Sequence, residues 1–209
     1  MKANIPKLET ETYYHIYNRG INGETIFKQE YNYSYFLQKY AYYIAPIGET
    51  YAYCLLKNHF HFLIKTRSED EILSRLGTKS SGRMNDRGAS FCISNQFSKL
   101  FNGYAQALNK INNRRGGLFE EPFRRIVVDS EAYFTRLIWY IHHNPRKHRL
   151  VNDFSIYPHS SYRSVLSNAP TKLEREYVLE WFGGKEAYLL FHQSQVDENA
   201  IKHLITEYE

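Results

Sequence analysis

Residues 50–66, TYAYCLLKNHFHFLIKT, restrict what this chain can fold into more than any other stretch. Two runs rich in aromatic and branched side chains, 50–56 and 59–66, flank the polar pair Lys57-Asn58 and read as a β-hairpin. In the second run polar and apolar residues alternate. Phe60, Phe62 and Ile64 therefore share one face of the strand, and His59 and His61 share the other. A sheet with such an apolar face has to bury it under a second layer.

The flanking sequence supplies that layer. Thr12–Tyr17 (TYYHIY) is a short β-rich run ending at the turn Asn18-Arg19-Gly20. Phe36, Leu37, Tyr40, Tyr43 and Ile44 recur at helical spacing until Pro46 and Gly48 intervene. Residues 67–90 predict a short helix and then a mobile basic loop. Phe97, Phe101, Tyr104, Leu108 and Ile111 mark a longer helix, closed by Arg114-Arg115-Gly116-Gly117. Phe123–Val128 predicts a fourth strand. Asp129 and Ser130 are N-cap candidates for a helix over 131–144 that Pro145 should terminate. The order β-α-β-β-α-β predicts an α+β fold. The expected form is a ferredoxin-like βαββαβ antiparallel sheet with helices on one face, then a tyrosine-bearing helix and a helical C-terminal appendage. The expected division is a domain over residues 1–150 and an appendage over 151–209 without a core of its own. Two short helical patterns are expected in the appendage, near 173–182 and 185–206.

Composition narrows the function classes. The chain holds 19 tyrosines, 13 phenylalanines and 2 tryptophans, enough rings either to stack flat partners or to build a ring-rich core. Mean hydropathy is −0.58 and no apolar run approaches the ~18 residues of a membrane span. The N-terminus has no apolar signal segment, and two cysteines in apolar settings make neither a disulfide framework nor a zinc knuckle, so a reducing cytoplasm is expected. Charge is uneven: residues 1–170 carry 23 Lys+Arg against 14 Asp+Glu, and residues 171–209 carry 4 against 8. The cations cluster at Arg75/Lys79/Arg83/Arg87, Lys110/Arg114/Arg115, Arg124/Arg125 and Arg146/Lys147/Arg149. Interleaved with tyrosines, such clusters suit a phosphate backbone and unstacked bases as well as they suit a solubilising surface.

Two segments bear on chemistry. His59 and His61 lie roughly 7 Å apart at Cα on one strand face, close enough to converge on a cation. A half-buried strand whose outer face carries two histidines matches the same pattern. On the 131–144 helix, Tyr133, Leu137, Tyr140 and Asn144 form one stripe, beside the apolar stripe Phe134, Ile138 and Ile141. By itself Tyr140 reads as a packing tyrosine and Asn144 as a helix C-cap.

Together, NHFHFLI and the downstream YIHHNP resemble the HUH single-strand endonucleases. More narrowly, they resemble the single-tyrosine transposases of small insertion sequences, above all the REP-associated tyrosine transposases. HIYNRG and GLFEEPFRRIVVDSEAYFTRLIWYIHHNP are similar to the same family, so the resemblance spans about residues 12–165. It implies that His59, His61 and Asn144 are the ligands of a divalent metal ion, Mg²⁺ or Mn²⁺. It implies that Tyr140 is the nucleophile and that Arg19, Arg124, Arg125, Arg114 and Arg115 are DNA contacts. The reaction implied is cleavage and rejoining of hairpin-forming single-stranded DNA through a 5′-phosphotyrosine, in a nucleoid-associated monomer or homodimer. The general base is unnamed, with metal-bound water and His142 as candidates. A binding module that holds hairpin DNA or RNA without cutting is the alternative. A third reading is a hydrolase whose two histidines activate water.

Overall fold

The structure is a computed structural model, and it describes residues 5–77, 88–194 and 196. Lys79, Arg83 and Arg87 of the expected basic loop lie outside the described residues, as does the end of the last helical pattern beyond residue 196. The sheet contains β1 (Tyr13–Arg19), β2 (Gly48–Leu55), β3 (His59–Thr66) and β4 (Arg124–Val127). Their spatial order is β2-β3-β1-β4, with every neighbouring pair antiparallel. Helix α1 (Glu30–Ile44) connects β1 to β2. Helices α2 (Glu69–Arg75) and α3 (Gly88–Ile111) lie between β3 and β4. This is the split βαβ arrangement that the element order predicts.

Alternation along the strands divides the molecule into two cores. Phe60, Phe62 and Ile64 of β3 join Tyr14 and Ile16 of β1 under α1 and α3, where Phe36, Tyr40, Phe97, Leu100 and Tyr104 are also buried. Phe62 stacks on Tyr40 with ring centroids 4.0 Å apart, and the Tyr40 hydroxyl pairs with Thr50 Oγ1 at 2.9 Å. Phe62→Ala would leave a cavity at the centre of this layer. The expected cost is about 3–5 kcal/mol, measurable as a lower urea midpoint at unchanged slope.

The opposite face is covered by α4 (Glu131–Lys147), capped by Ser130, whose hydroxyl accepts the Tyr133 N–H. Small residues allow the helix to approach: Ala52 and Cys54 of β2 lie under it beside Leu63. A register shift between Thr50 and Ala52 places the buried Tyr51 in this same core, where strict alternation would have put it elsewhere.

Pro145 does not end α4. The helix continues to Lys147, and Asn144 is fully buried inside it, so Asn144 is not a cap. Proline in a helix interior removes one hydrogen bond and costs about 3 kcal/mol. Here the surrounding packing holds the segment, with Ile141 to Pro145 all buried.

That packing comes from beyond residue 150. Helices α5 (Tyr162–Leu166), α6 (Arg175–Phe182) and α7 (Lys185–Gln193) cover the outer side of α4, and Phe154, Val165, Val178 and Tyr188 belong to its core. The same segment occupies the free edge of β2. Leu55 N–H donates to the His159 carbonyl, Ser161 N–H to Tyr53 and Glu174 N–H to Thr50, each at 2.9 Å. An open sheet edge is thereby closed. Among the described residues no helix is long and apolar enough to cross a membrane.

Candidate functional site

Directly paired residues of antiparallel strands present side chains on one face. The register pairs Cys54 with His61, His61 with Tyr17, and Tyr17 with Arg124, and in the next row His59 with Arg19. Both histidines, Tyr17, Arg19 and Arg124 therefore share the face that α4 covers. The turn after β1 is tightly built. Gly20 N–H donates to the Asn58 carbonyl at 2.8 Å, and a Cβ at Gly20 would lie 2.0 Å from the Glu24 carbonyl oxygen, so only glycine fits.

Tyr140 reaches the histidines from α4. It is 1% exposed, and its ring stands edge-on to His61 at 5.5 Å and to His15 at 6.3 Å between centroids. Asn144 lies one turn on, its amide nitrogen 3.5 Å from the Tyr140 carbonyl oxygen. Lys147, a further turn along, holds its ammonium 5.1 Å from the Tyr140 ring centroid. The stripe expected on this helix thus faces the histidine strand.

His15 takes part in the site although sequence reasoning missed it. It is buried on β1, and its Nε2 lies 2.9 Å from His61 Nδ1. His15, Tyr17 and His61 stack nearly parallel, with interplanar angles between 20° and 27°. TYYHIY alone carries no sign that this histidine meets His61, because the contact depends on strand register. His148, just past the end of α4, is a second addition, edge-on to His59 at 4.7 Å.

Burial holds the His61 imidazole well below its ordinary pKa, and the neighbouring His15, His59, His148 and Lys147 push it the same way. His61 is therefore neutral at pH 7. With Nδ1 engaged by His15, its Nε2 is buried without a hydrogen-bond partner, and so is the Asn144 Oδ1 oxygen. Buried polar atoms of this kind are seldom left unpaired. A neutral imidazole nitrogen and an amide oxygen are both electron-pair donors, so the residues present fit a cation. His59 Nδ1 bonds Asn58 Oδ1 at 2.7 Å, which orients that ring. Among the described residues no three His, Cys, Asp or Glu side chains group around a metal position. Two histidines would thus need the Asn144 amide and non-protein ligands to complete a site.

The arginines separate by environment. Arg19 and Arg124 lie on the histidine face, and Arg19 Nε is 3.6 Å from Glu120 Oε1. Arg125 pairs with Ile16 and faces the other way. Its Nε donates to the Pro6 carbonyl, and its guanidinium lies 4.9 Å from the Phe123 ring centroid. Arg114 is bound to the Glu24 carboxylate, Asn109 Oδ1 and the carbonyls of Gly116 and Gly117, which engages all five of its N–H groups. Arg115 is exposed.

His142 does not face Tyr140. Its Nε2 is 2.7 Å from Ser161 Oγ and its Nδ1 is 2.9 Å from His192 Nε2, inside the packing between α4 and α7. It is therefore not placed to serve as the base. Desolvation lowers the pKa of His142 strongly, that of His143 to about 4 and that of His192 to about 3. These depressed values have a consequence for stability. As pH falls below 6.5, the ordinary value, the unfolded chain takes up the protons first. Stability is then full above that pH and lost toward pH 3, at up to about 1.4 kcal/mol per pH unit per histidine. The urea midpoint is expected to drop steadily between pH 7 and pH 5, and His192→Gln should flatten part of that slope.

No protein-family model matches this sequence, and no curated protein matches it. Among solved structures, the chain is similar to that of a REP-associated tyrosine transposase bound to a REP hairpin. The TM-score is 0.59 at 14% sequence identity, and the alignment covers 82% of this chain and 90% of that one. At this identity the likeness is one of fold, and it extends over most of both chains.

Proposed function

We propose that this protein cleaves and rejoins hairpin-associated single-stranded DNA, with the Tyr140 hydroxyl as nucleophile. The observation that carries the reading is the meeting of Tyr140 with His61 across the α4–sheet interface, where His61 Nε2 and Asn144 Oδ1 are buried and unpartnered. The likeness in fold to a tyrosine transposase bound to a REP hairpin supports the same reading.

The phenolic oxygen of Tyr140 gives up its proton and attacks the scissile phosphorus as the bond to the deoxyribose 3′-oxygen breaks. That oxygen takes up a proton and leaves as a 3′-hydroxyl, and the 5′-phosphate stays on the tyrosine as a phosphotyrosine. A second 3′-hydroxyl reverses the step on another strand, so the bond is remade without an external energy source. His59, His61 and Asn144 would hold a divalent cation, Mg²⁺ or Mn²⁺, which when bound polarises a non-bridging phosphate oxygen. A His61 Nδ1–H donated to His15 Nε2, 2.9 Å away, would leave the His61 Nε2 lone pair for the site. Lys147, beside the phenol, stabilises negative charge passing between the phenolic oxygen and the phosphate. Arg19 and Arg124 border the same face and contact the strand backbone.

Tyr140 is 1% exposed, so α4 must shift from the sheet before a phosphate reaches the phenol. That burial favours a second reading, a hairpin-binding module in which Tyr140 only packs. One experiment separates the two. End-labelled hairpin DNA with single-stranded flanks is incubated with protein and Mn²⁺ or Mg²⁺, then resolved on a denaturing gel. A DNA adduct that survives denaturation and maps to the Tyr140 peptide supports cleavage. Tight hairpin binding with neither adduct nor cut strand establishes the module.

A further inference from the structure

Tyr140, Asn144 and Lys147 run along one stripe of α4, and Trp139, His143 and Arg146 form the next, roughly 100° around the helix. This second stripe opens into a cavity of about 750 Å³, lined also by Phe154, Lys147 and Gln193. Three rings meet in it: Trp139 stacks on His143 with centroids 3.9 Å apart, and His143 lies against Phe154 at 3.8 Å, tilted by 30°. His143 Nε2 lies 2.9 Å from the His192 carbonyl oxygen, which fixes the ring between its two neighbours. Trp139 is 7% exposed, and its Nε1 is buried without a hydrogen-bond partner. Arg146 and Lys147 are exposed beside it. Lys147 also lies over the Tyr140 ring, so the cavity adjoins the proposed cleavage site.

We propose that this cavity is a subsite for one unpaired nucleotide next to the scissile phosphate. The base lies against the Trp139–His143–Phe154 rings, Trp139 Nε1 donates to a base acceptor, and Arg146 and Lys147 take the adjoining phosphate. Three features favour this occupant over an apolar ligand: cations at the opening, an unused buried donor, and a shared lysine linking the cavity to Tyr140. The inference rests on the DNA reading above and adds a nucleotide position to it.

The test reads binding alone, in EDTA so that no cleavage occurs. A single abasic site is stepped through the unpaired nucleotides on both sides of a fluorescein-labelled hairpin, and affinity is measured by anisotropy. For the wild type, one position should cost about tenfold in Kd, the loss of one stacked base. In Trp139→Leu that penalty should fall below about twofold while intact DNA binds more weakly. Arg146→Gln, at an exposed position, should weaken every strand about threefold at low salt and less at high salt. Should Trp139→Leu fail to fold, Arg146→Gln still decides, since unchanged affinity in that variant overturns the subsite. An equal abasic penalty in wild type and Trp139→Leu, or no penalty at any position, also overturns it. A lower melting temperature in Arg146→Gln with unaltered DNA binding would mean that the cavity holds part of the protein's own chain. The cleavage assay is run on the same strands. An adduct with no abasic effect sinks the subsite alone, and an abasic effect with no adduct sinks only the cleavage reading.

Discussion

Tyr140→Phe is expected to abolish the covalent DNA adduct and strand cleavage, leaving hairpin affinity within about twofold of wild type. The substitution removes one oxygen from a ring that is 1% exposed and keeps its edge-on approach to His15 and His61. The Lys147 ammonium, 5.1 Å from the ring centroid, retains an aromatic face. Stability should therefore change by no more than about 1 kcal/mol, the usual net worth of a hydroxyl. Binding, melting temperature and adduct yield are measured on one preparation, so lost activity can be separated from lost fold. Equal cleavage by both proteins would remove Tyr140 from the chemistry and leave the histidines as activators of water.

The second large effect concerns His61 and the residue behind it. His61→Ala deletes the buried Nε2 and is expected to eliminate metal-dependent cleavage, with Mn²⁺ binding by electron paramagnetic resonance falling below detection. His15→Phe keeps a ring in the stack but removes the nitrogen 2.9 Å from His61 Nδ1. If His15 positions its neighbour, Mn²⁺ affinity should fall about 10–100-fold, the usual consequence of losing an outer partner of a ligating histidine. The ¹⁵N spectrum should also change: His61 should populate one tautomer in the wild type and a mixture in the variant. Unaltered Mn²⁺ affinity and tautomer in His15→Phe would reduce His15 to packing. Hairpin binding in EDTA should be insensitive to either change.

Several parts of the site were legible because they depend on local periodicity. The face shared by His59 and His61 follows from alternation on one strand, and the Tyr140–Asn144 stripe follows from the helical repeat. The element order also suffices for the split βαβ sheet. What remained hidden depends on segments far apart in sequence. Arg124 and Arg125 are adjacent and chemically alike, yet the register sends one to the histidine face and the other to the Pro6 carbonyl. Arg114, in a conspicuous basic cluster, is bound to Glu24, 90 residues away. His142 sits two residues from Tyr140, but the helical turn directs it into the packing with His192.

Pro145 shows why local rules gave way there. Its disfavour for helix interiors is a local cost of about 3 kcal/mol, set against burial of the whole 141–145 turn under the segment after residue 150. The chain by itself determined which side chains share a strand face or a helix stripe, since backbone geometry sets those repeats within a few residues. Only the tertiary structure decided that the two stripes meet, that His15 backs His61, and that residues beyond 150 bury the tyrosine helix. Those outcomes come from long-range strand pairing and from the burial of apolar surface, which no short stretch of sequence encodes.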